Sequence, residues 1–171
     1  AMDGPQLPPP SKSAESKHGV DFIVDTVMST DDVTLIATGP LTNIASALNK
    51  EPRIAQRAKG LYIMGGGAYC GNWTAAAEFN IFVDPEAAYK VFHSGMPIYM
   101  CGVNLTRQCP VLRENVEKMR ALGNKAGKFA AELLDFFARG GDAHLHDPCA
   151  VAWIIDPSIV TSAYLHVDIE L

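Results

Sequence analysis

Apolar and polar positions along this chain follow two alternating rhythms. Short apolar runs at Val33–Ala37, Leu61–Met64 and Pro97–Val103 have the length and composition of buried strands. Between them the apolar positions recur at helical spacing, which predicts helices over Ala14–Met28 and Leu41–Asn49, with a helical turn restarting at Glu51-Pro52-Arg53. Asp84-Pro85-Glu86 is a helix start, with aspartate as N-cap and proline behind it, and that helix runs to about His93. Two more helices are expected near Leu112–Leu122 and Lys125–Ala138. Asp147-Pro148 repeats the start signal before a helix ending near Ile155, and Val167–Glu170 reads as the beginning of a further strand. Residues 1–13, carrying Pro5, Pro8, Pro9 and Pro10, read as a proline-rich linker, and 14–171 as the folded domain.

Strands alternating with helices imply an α/β fold with a mainly parallel sheet flanked by helices. Ligands of such folds bind beyond the carboxyl ends of the strands. Thr38, Met64-Gly65-Gly66 and Asn104 all fall there, so they can line one crevice.

Composition narrows what that crevice can serve. A chain of 171 residues with 48% hydrophobic and 19% charged positions can bury a real core. A net charge of −5 disfavours a polyanionic partner, so no nucleic acid is expected. No apolar run reaches the roughly 18 residues of a membrane span, and no basic segment leads into an apolar one as in a secretory signal. Cys70, Cys101, Cys109 and Cys149 lack CxxC spacing and read as reduced thiols of a cytoplasmic protein.

The chemistry concentrates in Asn72-Trp73-Thr74-Ala75-Ala76-Ala77-Glu78-Phe79-Asn80. One carboxylate and two carboxamides make a good grip on a sugar, because the carboxylate accepts from hydroxyls while each amide donates and accepts. If the segment is extended, Glu78 and Asn80 point to one side and Phe79 to the other. The plainer alternative is that Asn72, Glu78 and Asn80 are loop and cap residues. Gly65-Gly66-Gly67 lacks the spacing of a phosphate loop and fits a tight turn. Met64 alone is core filler. Asp147 is either a helix cap or a ligand for a hard cation, and His146 beside it suits acid–base work. His144 and His146 lack the third ligand of a zinc site.

Taken together, these segments resemble one family. Val33-Thr-Leu-Ile-Ala-Thr-Gly-Pro-Leu-Thr-Asn-Ile-Ala45, Met64-Gly-Gly-Gly, Gly71-Asn72, Ala77-Glu-Phe-Asn-Ile81, Asp84-Pro-Glu-Ala-Ala88 and His146-Asp-Pro-Cys149 are similar to the inosine–uridine-preferring nucleoside hydrolases. The resemblance implies a Rossmann-like fold, a homo-oligomer, and hydrolysis of ribonucleosides, purine or pyrimidine, to ribose and free base in nucleoside salvage. It also implies one Ca²⁺, held by the Thr38 carbonyl and the Asp147 carboxylate. The ribose is then bound by Asn72, Glu78, Asn80 and Met64, and His146 assists the leaving base.

The family opens with an aspartate-rich segment, Asp-x-Asp-x-Gly-x-Asp-Asp, that supplies further calcium ligands and the general base. Nothing in these 171 residues matches it; Asp31-Asp32 falls in a helix–strand turn. The expectation is therefore the central portion of a nucleoside hydrolase, incomplete at both ends and inactive by itself. A noncatalytic ribose-binding relic of the same fold is the alternative. A nucleotide-binding module is a second one, which would need more basic residues near Gly65–Gly67 than Lys59.

Overall fold

The computed structural model describes residue 4 and residues 9–171, so most of the expected proline-rich linker lies outside the described residues. The chain forms two compact units. One comprises Glu15–Thr106 and His146–Leu171; the other is built on Arg107–Leu145 with the described part of Ala1–Ala14.

The first unit holds a parallel three-stranded sheet in the order β1 (Thr34–Ala37), β2 (Gly60–Met64), β3 (Ile98–Cys101). Ala37 pairs with Ile63 and Met64 with Cys101, so all three strands end at one edge. Around it lie α1 (Gly19–Ser29), α2 (Thr42–Lys50), α3 (Ile54–Arg57), α4 (Phe79–Val83), α5 (Pro85–Phe92), α6 (Val103–Thr106) and α9 (Asp147–Ile155). The second unit contains α7 (Arg113–Ala121) and α8 (Lys125–Phe137), which pack on each other.

Strand alternation sorts β2 between two faces. Leu61 and Ile63 are fully buried against Val27, Ile44, Leu48, Ile54 and Val91, the core shared with α1, α2, α3 and α5. Tyr62 points the other way and stacks on Tyr99 of β3 with ring centroids 4.3 Å apart. Trp153 of α9 meets both rings edge-on, at 5.6 and 5.5 Å. Edge-to-face packing on a stacked pair is a favoured aromatic arrangement, and here it seats α9 on the second face of the sheet.

Most predicted elements are present, and the departures have physical reasons. α1 starts at Gly19 rather than Ala14, because residues 11–18 are exposed and have no apolar face to bury. His18 caps it instead, accepting from the Val20 N–H. The strand expected over Pro97–Val103 ends at Cys101, and Val103 already begins α6. Val167–Glu170 is not a strand. A strand needs a ladder partner for its backbone groups, and this stretch has none, although Ile169 packs against the core. Cys101 and Cys149 are buried thiols, and Cys70 and Cys109 are half-buried ones.

Asp84 ties two helices together. One carboxylate oxygen accepts the Ala87 N–H as the N-cap of α5, and the other accepts the Thr42 hydroxyl at the start of α2. Asp84→Ala should therefore cost about 2 kcal/mol in urea unfolding, the sum of a lost cap and a lost side-chain bond of about 1 kcal/mol each. Thr42→Val should cost only about half of that. Equal losses for the two variants would mean that the cap contributes nothing.

Candidate functional site

The turn leaving β2 is built from glycines because backbone runs against backbone there. Gly66 has φ +73°, and the Gly65 N–H donates to the Cys101 carbonyl at 3.3 Å. A Cβ on Gly67 would lie 2.1 Å from the Cys70 oxygen, and one on Gly102 would lie 2.9 Å from the Gly66 oxygen. The Gly66 carbonyl accepts the Val103 N–H at 2.9 Å. This is the tight turn expected of Gly65-Gly66-Gly67. It does not offer an anion cradle, since the Gly66 N–H is already held by a carboxylate.

That carboxylate belongs to Glu78, which is only 3% exposed. Its Oε2 accepts three backbone N–H groups: Gly66 at 3.0 Å, Asn80 at 2.9 Å and Ile81 at 3.2 Å. Its Oε1 has no hydrogen-bond partner among the described residues, yet it is not sealed from solvent. One oxygen is structural and the other is available to a ligand. The cap alternative weighed for this residue is thus realised on Oε2, while Oε1 stays open.

Asn80 and Asn72 converge on the same place by a different geometry from the one expected. The segment is not extended through Asn80: Glu78 is the N-cap of α4, and Asn80 sits in the first turn of that helix. Asn80 Nδ2 donates to the Met64 carbonyl at 3.0 Å and to the Met64 sulfur at 3.3 Å, leaving its Oδ1 for other partners. Met64 is 4% exposed, so Asn80 stands over it. Asn72 is exposed, and its Oδ1 accepts the Phe79 N–H at 2.8 Å. The loop before it closes on itself: the N–H groups of Asn72, Trp73 and Thr74 all donate to the Ala77 carbonyl. Trp73 and Phe79, partly exposed, pack edge-on at 5.1 Å beside the loop.

Thr38 follows Ala37 at the end of β1, exposed, at the level of Met64. From α9 come His146 and Asp147. The helix begins one residue earlier than expected, so His146 occupies the N-cap position and Asp147 the first turn. Unlike Asp84, Asp147 accepts no backbone N–H from the described residues, so the cap alternative for it fails. Partial burial pushes the Asp147 carboxyl above the usual carboxylate range; His146 opposes the shift and the charge of Glu78 adds to it. Glu78 and Asp147 are therefore close enough to repel. A cation beside them would relieve that repulsion, and the Asp147 carboxylate is a hard oxygen donor suited to calcium. Among the described residues no group of three or more His, Cys, Asp or Glu side chains is gathered that could hold a metal ion.

Two contacts escaped sequence reasoning. His146 Nδ1 lies 2.8 Å from the hydroxyl of Thr106, which is fully buried, and Thr42 bonds Asp84. Each joins positions about 40 residues apart, with no local signal. His144 lies in the other compact unit, 3.6 Å from Asp142. No helix among the described residues is long and apolar enough to cross a membrane.

Residues 1–171 match the family described as inosine-uridine preferring nucleoside hydrolase. The pyrimidine-specific ribonucleoside hydrolase RihA of Shewanella sp. (strain ANA-3) is 44% identical over 178 residues, covering 99% of this chain and 56% of its own length. The RihA of Enterobacter sp. (strain 638) is 43% identical, with 99% and 57% covered. Among solved structures, the purine-preferring ribonucleoside hydrolase from Gardnerella vaginalis superposes with a TM-score of 0.84 at 38% identity, over 91% of this chain and 52% of that one. The plant nucleoside hydrolase PpNRh1 gives 0.77 at 30% identity, over 89% and 51%. The chain spans about half the length of the curated relatives it matches.

The division of labour on Glu78 can be measured. Glu78→Ala strands three backbone donors, one of them in a close-packed turn, and should cost more than about 2 kcal/mol in denaturant unfolding. Glu78→Gln keeps an oxygen for those donors and should lose less than half as much. If both variants unfold alike, Oε2 is not what holds the turn to α4.

Proposed function

Since this chain belongs to the inosine-uridine preferring nucleoside hydrolase family, we propose that its cleft seats the ribose of a ribonucleoside for hydrolysis of the N-glycosidic bond. The observation that carries this proposal is the Oε1 of the buried Glu78, which has no protein donor among the described residues, with Asn80 in the next helical turn and Asn72 bonded to the Phe79 N–H between them. A carboxylate oxygen that opens to solvent from a buried residue and has no protein donor suits a ligand's donor, and vicinal sugar hydroxyls supply one. Met64 forms the wall behind Asn80 and the edge facing the sugar.

Hydrolysis breaks the bond between C1′ and the base nitrogen, with its electron pair leaving on the base. The ribose becomes oxocarbenium-like, and water then adds at C1′ and gives up a proton. Glu78, negative and held rigidly beside the sugar, stabilises the growing positive charge without reorganising. The ribose contacts hold C1′ in place for attack. His146 hydrogen-bonds the leaving base and supports the charge it takes on.

Asp147 and the Thr38 carbonyl would hold the calcium that the family resemblance implies. When bound, that ion would polarise water and help orient the sugar diol. By the same resemblance, the remaining ligands and the water's base belong to the aspartate-rich segment, for which these residues have no counterpart. We therefore propose turnover for the whole protein and ribose binding without turnover for this stretch alone. A cytoplasmic homo-oligomer acting in nucleoside salvage, with no nucleic-acid or membrane partner, completes the proposal.

Two measurements test it. In the full-length enzyme, His146→Ala should slow inosine or uridine hydrolysis by 10²- to 10⁴-fold, roughly the worth of a positioned acid–base group. It should spare p-nitrophenyl riboside, whose leaving group needs no assistance; equal losses would remove His146 from the leaving-group role. Calcium at ten times its dissociation constant should add about 1.4 kcal/mol of stability. For a protein of this size that is roughly 3–6 °C in Tm, reversed by chelator and absent in Asp147→Asn. A wild-type melting point that calcium leaves unmoved would exclude Asp147 as its ligand.

A further inference from the structure

Thr106 is fully buried, and its hydroxyl has a single hydrogen-bond partner among the described residues, His146 Nδ1 at 2.8 Å. Which group donates follows from counting hydrogens. Had the hydroxyl accepted from Nδ1–H, its own hydrogen would point into a dry interior with no acceptor, an arrangement that proteins avoid. Donation to Nδ1 satisfies both atoms. A neutral imidazole that accepts at Nδ1 carries its hydrogen on Nε2.

The hydroxyl is also held in place. Thr106 closes α6, where its N–H donates to the Gly102 carbonyl at 3.1 Å. Gly102 in turn is packed against Gly66 so closely that no side chain fits between them. A β-branched side chain on such a backbone has few rotamers to choose from. Thr106 therefore presents a fixed donor, on an element that follows β3, to a ring that stands at the start of α9.

We propose that Thr106 is a positioning residue, which donates its hydroxyl hydrogen to His146 Nδ1 and holds the ring as the Nε2–H tautomer. Its catalytic consequence rests on the function proposed above. With the hydrogen on Nε2, His146 meets the leaving base as a hydrogen-bond donor in a set orientation, ready as the C1′–N electron pair moves onto the base. Without Thr106 the ring loses the donor that fixes this tautomer, and the other form offers a lone pair where the base needs a donor.

The test has two arms that fail separately. In the ¹⁵N-histidine-labelled 171-residue chain at pH 8, where unperturbed imidazoles are neutral, His146 should show a pyridine-type Nδ1 and a pyrrole-type Nε2. His146→Gln identifies its signals among the five histidines. Thr106→Val, which keeps the shape and removes the donor, should give a tautomer mixture; Thr106→Ser should restore the wild-type pattern. A protonated Nδ1 in the wild type, or an unchanged pattern in Thr106→Val, would overturn the proposal whatever the enzyme does. In the full-length enzyme Thr106→Val should lower kcat for inosine or uridine by about 10- to 100-fold, the scale of a misplaced catalytic group. KM should stay nearly unchanged, p-nitrophenyl riboside should be spared, and Thr106→Ser should recover the rate. Equal loss on both substrates would overturn the positioning role. Failure of the wild-type enzyme to hydrolyse any nucleoside would refute the proposed function instead, with the tautomer measurement still deciding the role of Thr106.

Discussion

A buried carboxylate needs donors, and Glu78 obtains them from the backbone. By accepting from Gly66, Asn80 and Ile81 through one oxygen, it joins the turn that leaves β2 to the first turn of α4. Charge-assisted bonds of this kind are stronger than neutral ones, and three of them offset the cost of removing an ion from water. The constraint then spreads. Gly66 must adopt a positive φ, Gly67 and Gly102 can carry no side chain, and Asn80 is brought over Met64. The available oxygen of Glu78 is presented by structure that its other oxygen holds rigid.

The second half of the proposed site is delivered from the opposite face of the sheet. Tyr62 and Tyr99 form a flat stacked platform, Trp153 stands edge-on to it, and α9 is fixed along its length by that contact. Its first turn carries Asp147, which senses the charge of Glu78, and its N-cap carries His146, which Thr106 holds. Burial is the main cost to the Asp147 carboxyl, which it raises, and the charge of Glu78 adds to that cost. The fold tolerates it because the aromatic platform and the buried core supply the compensation elsewhere.

Periodicity and composition made the architecture legible, because burial imposes its own spacing on a strand or a helix whatever the neighbours are. Hence β1, β2, α2, α5, α7 and α8 lie close to where the pattern places them. The exceptions occur where a tertiary partner decides. Residues 14–18 have no apolar face to bury, and Val167–Glu170 has strand composition without a ladder among the described residues. The two Asp-Pro signals look alike in sequence. Asp84 caps α5 with its carboxylate and Asp147 does not cap α9, a difference of one residue in register that turns one side chain onto the backbone and leaves the other to the cleft.

The chain of residues by itself determined the α/β class, and it suggested the strand ends as the place of the proposed site, with Asn72, Glu78 and Asn80 as its proposed chemistry. All of these follow from local spacing and side-chain type. Only the tertiary structure decided that Glu78 spends one oxygen on the fold and leaves the other open, that Asn80 stands in a helical turn, and that the Thr106 hydroxyl meets His146. Those facts depend on hydrogen-bond direction and on contacts across tens of residues, and a linear pattern encodes neither.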